Sequence, residues 1–222
     1  MRGADTAADA RPATGGRAPH QLPRGRHGLT RERVVQHQRE RMLRGLAEAV
    51  AEKGYGATSV ADITNRAGTS RETFYQQFSS KQGCFIAAYE AAASKILKRL
   101  REASQPTGTP LERFSHAITA YLDALAAEPS FARLFLVEVY AAGPDALQNR
   151  AHLQQRFAEL LAEGLRAKGP TERFACDILV AGISAMVTAR LALRDIDGIR
   201  DLAAPLTDLV GQALSAARGS TR

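Results

Sequence analysis

Residues 59–78 read SVADITNRAGTSRETFYQQF, and this stretch decides the fold. Ser59, followed three residues on by Asp62, is a helix-start pattern: the hydroxyl accepts an orphan N–H and the carboxylate reaches back to the backbone. Ala67-Gly68-Thr69 ends that helix after about two turns, since glycine accepts the left-handed backbone found at helix ends. A second short helix is expected over 70–77. Phe74 and Phe78, four residues apart, share one of its faces and point into a core, leaving polar groups on the other. Two short helices hinged at a glycine, the second apolar behind and polar in front, make a helix-turn-helix motif running from Ser59 to Phe78.

Two further hydroxyl pairs repeat the start signal, Thr69 with Glu72 and Ser79 with Gln82. Three starts about ten residues apart argue for short helices sharing a small core of Val60, Ile63, Ala67, Phe74, Phe78 and Phe85. Upstream, helical spacing runs from Arg31 to Lys53, with Val35, Met42, Leu46, Ala49 and Val50 three, four or seven apart, and Gly54-Tyr55-Gly56 stops it. Gly, Pro, Ala and Arg without periodic apolar positions lead to a disordered basic tail over 1–34. Downstream, a long helix runs to about Glu102, and the segment 105–110, rich in Pro and Gly, breaks the chain. Further helices are expected over 111–127, 130–141, 145–168, 171–194 and 199–217. The reading is therefore all-α, with a helix-turn-helix domain at 35–97 and a larger helical domain at 98–222.

Composition supports this division. Ala, Leu and Arg dominate and alternating β-branched runs are nearly absent, which favours helix. The net charge of +7 is uneven: residues 1–101 carry 18 Lys/Arg against 9 Asp/Glu, and residues 102–222 carry 12 against 14. A basic front half suits a polyanion such as double-stranded DNA. Cys84 and Cys176 have no metal-knuckle or disulfide spacing, consistent with a reducing compartment and a cytoplasmic location. No window approaches 18 uncharged apolar residues, so no membrane span is expected.

A recognition helix presents its first turns to base edges and is braced from behind. Arg71 can bond both acceptors of a guanine, and Thr73 and Gln76 suit base or sugar contacts. The Tyr75 hydroxyl reaches a phosphate. Lys81, in the first turn of the next helix, is expected to grip another phosphate, and Thr58 a third. Here the residues resemble a family. Gly54-Tyr55, Thr58-Ser59-Val60-Ala61-Asp62-Ile63, Arg66-Ala67-Gly68, Ser70-Arg71, Thr73-Phe74-Tyr75, Phe78, Ser80-Lys81 and Phe85 match the N-terminal domain of the TetR family of bacterial transcriptional regulators. Thr69 departs from that pattern, standing where an apolar residue is usual, as does Gln82-Gly83. The resemblance implies that Ser70, Arg71 and Thr73 face the DNA and that Tyr75 and Lys81 contact phosphates; with Thr58, Ser59, Thr69 and Gln76, these are the residues expected to bind DNA.

It also implies a second domain that dimerises and binds a small-molecule effector. Ala181, Gly182, Ser184, Ala185 and Ala189, with Leu202, Leu206, Leu209, Ala213 and Leu214, are expected to form a homodimer interface of four helices. No effector residue, cofactor, metal ligand or catalytic residue is assigned. Among polar residues in apolar segments, His116, Tyr121, Glu138, Tyr140, His152 and Thr188 are open as core or surface groups. An enzyme finds little support, for GxSxG, HExxH, P-loop and GxGxxG patterns are all missing. Asp195-x-Asp197-Gly198 lacks the later acidic ligand of a calcium loop and reads as a turn. A DNA-binding regulator without an effector is the remaining alternative. A cavity in the second domain would argue against it.

Overall fold

The computed structural model describes residues 31–103 and 108–219, and every element in it is helical. Helices α1 (Arg31–Ala57), α2 (Val60–Ala67) and α3 (Arg71–Gln77) lead into the long α4 (Lys81–Ala103). Then come α5 (Pro110–Ala127), α6 (Pro129–Leu136), a 3-10 turn (Glu138–Ala141), α7 (Pro144–Leu165), α8 (Pro170–Ala192), α9 (Asp197–Arg200) and α10 (Ala203–Gly219). The all-α architecture is as expected. The tail is shorter than expected, because residues 31–34 already lie in α1; the expectation of disorder over 1–30 falls outside the described residues.

Helix starts differ by one residue in a consistent way. Helices α5, α6, α7 and α8 each begin on a proline, not after it. Proline fits the first helical position because its fixed φ suits the helix and its missing N–H would have no partner there. The caps around the motif shift similarly. Ser59 caps α2 with Asp62 as expected, but Ser70, not Thr69, caps α3, its Oγ accepting from the Thr73 N–H at 3.0 Å. At α4 the hydroxyl is that of Ser80, accepting from the Gly83 N–H, while Gln82 donates instead to the Ala142 carbonyl. In both places the sequence holds two adjacent hydroxyls, and packing of α3 and α4 selects the second. The expected helix over 199–217 is divided into α9 and α10, and Asp195 caps the turn by accepting from the Gly198 N–H.

Met42, Leu46, Val50, Ile63, Phe74 and Phe85 are fully buried and form the core of the N-terminal unit. Helices α1 and α2 cross at Gly45, where an added Cβ would lie 2.9 Å from the Ile63 carbonyl oxygen and 3.3 Å from the Ala67 nitrogen. Both neighbours are backbone, so nothing nearby can swing away. Ordinarily Gly→Ala inside a helix is stabilising by up to about 1 kcal/mol. Here the sign reverses: Gly45→Ala should lower the melting temperature by circular dichroism, and Gly45→Val should cost about 1–3 kcal/mol through overpacking.

Candidate nucleic-acid interface

The motif is held from three sides. Gly68 ends α2 in the left-handed conformation (φ 59), and the Thr69 N–H returns to the Thr64 carbonyl at 3.0 Å. The Arg41 guanidinium on α1 donates to the Ala67 and Gly68 carbonyls, satisfying acceptors that the helix end leaves open. Arg39, also on α1, donates to the Gln77 carbonyl at 3.3 Å and lies over the Phe78 ring at 4.4 Å. Gln77 returns the link by donating to the Val35 carbonyl. At the start of α2, Lys53 and Ser59 beside Asp62 hold its carboxyl well below the usual carboxylate range.

With Phe74 buried behind α3, its front carries Arg71, Glu72, Tyr75 and Gln76, all exposed. Tyr75 is 58% exposed, its ring set edge-on to Phe74 at 5.4 Å. Among the described residues Arg71 has no ion-pair or hydrogen-bond partner, so its guanidinium is available to a ligand. Ser59 and Ser70 are exposed at the two helix starts, and Thr73 is half-buried, with its hydroxyl 2.9 Å from that of Ser70.

Three of the expected residues sit differently. Thr58 is 3% exposed, and its hydroxyl donates to the Gly54 carbonyl at 2.8 Å, so the side chain holds the loop before α2. The Thr69 hydroxyl is buried without a partner. The Lys81 ammonium donates to the Tyr55 and Thr58 carbonyls, both at 2.8 Å, and lies over the Tyr55 ring at 4.2 Å. Burial lowers the Lys81 pKa and raises that of Tyr55. Lysine has three ammonium donors, so one remains for a phosphate.

The same loop is tied to the other half of the chain. Glu138, in the turn after α6, is almost buried; its Oε2 accepts from the Tyr55 N–H at 2.9 Å and its Oε1 faces Arg133 at 3.5 Å. The connection exists because Gly54 (φ 80, ψ 160) breaks α1 and frees the next N–H. Glu138 is one of the polar residues that local spacing leaves open, because its partner lies 83 positions away.

Between α4, α5, α6, α7 and α8 lies an apolar cavity of about 100 Å³. Phe114, Ile118, Phe135, Phe157 and Leu161 line it, with Tyr89 and Tyr121. Its polar groups include Arg150 and Ser184, neither of which was singled out as an effector contact, and Arg113. A signal for Arg150 existed: it leads Leu153, Phe157 and Leu161 at intervals of three and four, which places it on the apolar face of α7. Of the residues left open, Tyr121 lines the cavity, whereas His116 and His152 are exposed.

Helix α8 shows an apolar outer face. Phe174, Ile178, Met186 and Leu193 are 63%, 58%, 43% and 76% exposed, and Ala181, Gly182, Ala185 and Ala189 lie exposed between them. Ser184 is corrected: it is buried and accepts from Arg150 at 3.1 Å. Leu202 and Leu206 are likewise core residues, leaving Leu209 and Ala213 exposed on α10. By length and mean hydropathy (1.6), α8 is also apolar enough to cross a membrane, which the sequence reading did not anticipate. Its Ile183, Val187 and Leu191 are buried in the chain's own core.

Comparison with known proteins agrees with this geometry. Residues 43–88, from the middle of α1 to the first turns of α4, match the family model for bacterial regulatory proteins of the tetR family. The HTH-type transcriptional activator FasR of Mycolicibacterium smegmatis is 27% identical over 141 residues, 64% of this chain and 59% of that protein. The HTH-type transcriptional regulator YvdT of Bacillus subtilis is 36% identical over 62 residues, 28% of this chain and 32% of that one. The chain thus aligns with three-fifths or less of the length of either relative. Two solved structures share the fold. FadR of Bacillus halodurans gives a TM-score of 0.68 at 18% identity, covering 78% of this chain and 93% of that one. FadR of Bacillus subtilis, crystallised with stearoyl-CoA, gives 0.67 at 20% identity, covering 77% and 96%. The family's pattern thus falls on a braced helix-turn-helix whose front is exposed, and over residues 43–88 the chain is similar to the tetR family of bacterial regulatory proteins, which supports a transcriptional regulator of that type.

Proposed function

We propose that the chain is a homodimeric, cytoplasmic repressor that leaves a near-palindromic operator when a small molecule enters the cavity of its helical domain. The observation that carries this reading is the front of α3, where an unpaired Arg71 and an exposed Tyr75 stand side by side on a ridge fixed by Phe74. Arg71, Thr73 and Gln76 read base edges. Ser59, Ser70 and Tyr75 bond phosphates, joined by the remaining Lys81 donor. The Thr58 hydroxyl holds the loop before α2, and the Thr69 N–H closes the turn before α3. The DNA-reading unit comprises residues to about 97, and the helical domain begins at 98.

The dimer is supported by the outer face of α8. Exposed Phe174, Ile178 and Met186 form a stripe with small residues between them, so a second copy could approach closely, with Leu209 of α10 alongside. Two recognition helices in a dimer meet successive major grooves only at one separation. The cavity favours an effector over a regulator that has none, and FadR of Bacillus subtilis, solved in complex with stearoyl-CoA, is an example of this fold with a small molecule bound. Phe135 lines the cavity and Glu138 follows it within one turn, so movement of α6 acts on the Tyr55 N–H and the loop before α2. An effector that prefers the moved arrangement shifts the population away from DNA binding. Activation is the second reading, favoured by the M. smegmatis relative; a promoter reporter that loses expression when the regulator is deleted selects it.

Three outcomes follow. Operator fragments recovered from genomic DNA should bind with a log–log salt slope of about −0.9 per phosphate contact. Arg71→Ala should cost about 1–3 kcal/mol and relax preference at one base position, whereas Tyr75→Phe should weaken all sequences alike, both by fluorescence anisotropy. Ile178→Glu should sediment as a monomer and lose most operator affinity while keeping its helical spectrum; a wild-type monomer would remove the dimer.

A further inference from the structure

We infer that the cavity of the helical domain takes an unbranched aliphatic carboxylic acid, with its carboxylate on the Arg150 guanidinium and its chain laid along α7. This rests on the effector reading above and adds the chemical class of ligand.

The shape of the lining comes first. On α7 the residues facing the cavity run from Arg150 through Leu153, Phe157 and Leu161 to Leu165. The fifteen helical steps from Arg150 to Leu165 span about 22 Å at 1.5 Å each. A volume of about 100 Å³ drawn along that length is a slit, far below the roughly 300–1,000 Å³ of pockets for drug-sized molecules. A ringed or branched body has no room there. A single methylene chain is the form that lies in such a slit with little displacement of Phe135 and Phe157.

The head group follows from the two arginines in the lining. Arg113 is tied to the backbone: its Nε and Nη2 donate to the Gly164 carbonyl at 3.2 and 2.7 Å, and its Nη1 to the Gly108 carbonyl at 2.8 Å, which takes three of its five N–H groups. It is a staple between α5 and the end of α7. Arg150 is different. Its Nη2 donates to the Ser184 hydroxyl at 3.1 Å, its Cζ lies 5.0 Å from the Tyr140 ring centre, and its charge acts on the Tyr89 hydroxyl nearby. Among the described residues no carboxylate forms an ion pair with it. A partly buried guanidinium facing an apolar space with hydroxyls and no counter-ion is matched by a monoanion.

Tyr89 and Tyr121 complete the head-group site. Burial raises both phenol pKa values, so at neutral pH they are uncharged and able to donate to a carboxylate. A coenzyme A thioester would present a neutral carbonyl or several phosphates to this end. The first leaves Arg150 unpaired, and the second calls for more cations than the lining holds. The free acid satisfies the site with one charge.

The test is isothermal titration calorimetry of the full chain with octanoic, dodecanoic and hexadecanoic acids, their methyl esters and hexadecanoyl-coenzyme A. The wild type should prefer acid over ester by about 10- to 100-fold, the range of a hydrogen bond to a charged group. Arg150→Gln, which retains an amide donor for Ser184, should lose that preference, while Arg150→Lys and Ser184→Ala should keep most of it. Melting curves identify any variant that fails to fold, and the Lys variant then carries the comparison. Equal binding of acid and ester, or preference for the thioester, overturns the carboxylate assignment and leaves the effector reading standing. No binding by any probe removes both.

Discussion

A helix of seven residues is too short to be stable in water, so α3 exists because Phe74 is pressed into the core behind it. Everything on its front inherits its position from that contact. Tyr75 stands out because its neighbour is fixed, and Arg71 is aimed because it opens the same short helix. The surrounding arginines reinforce this: Arg41 closes the turn between α2 and α3, and Arg39 holds the end of α3 against α1. Helix α1 is thus a splint for the motif. Its close crossing with α2 at Gly45 leaves no room for a side chain between the two helices.

The two halves of the chain are joined at the loop before α2. Gly54 breaks α1, and the freed N–H of Tyr55 is taken by the carboxylate of Glu138 from the second domain. The carbonyl of the same residue is held by Lys81. One peptide segment therefore answers both to the cavity side, through α6, and to the start of α4. A carboxylate with little exposure to water gains more from this bond than a surface group would, because no solvent competes for its oxygens.

The second domain divides its apolar residues between two tasks. On α8, Ile183, Val187 and Leu191 face the chain's own core while Phe174, Ile178 and Met186 face outward, so the helix is apolar nearly all round. That is why it has the length and hydropathy of a membrane span in a chain whose charge and motif point to DNA. Its buried Ser184, on the inner side, meets Arg150 at the edge of the cavity.

The order of helices, the motif and its polar front were legible in the sequence, because they depend on interactions within four residues: capping hydroxyls, a glycine at a turn and phenylalanines one helical turn apart. So was the resemblance that the family comparison supports. Local pattern stopped short wherever two hydroxyls stood together; it named Thr69 and Ser79, and packing selected Ser70 and Ser80. It also could not tell that Thr58 faces inward, that Leu202 and Leu206 belong to the core, or that Glu138 finds the Tyr55 N–H. Those outcomes pair residues far apart in the chain, and only the packing of α1 against α6 and the turn after it, and of α9 and α10 against α5, brings the partners within reach. The cavity is decided the same way: five helices must meet before Arg150 has an apolar space to face, and no spacing along one helix contains that information.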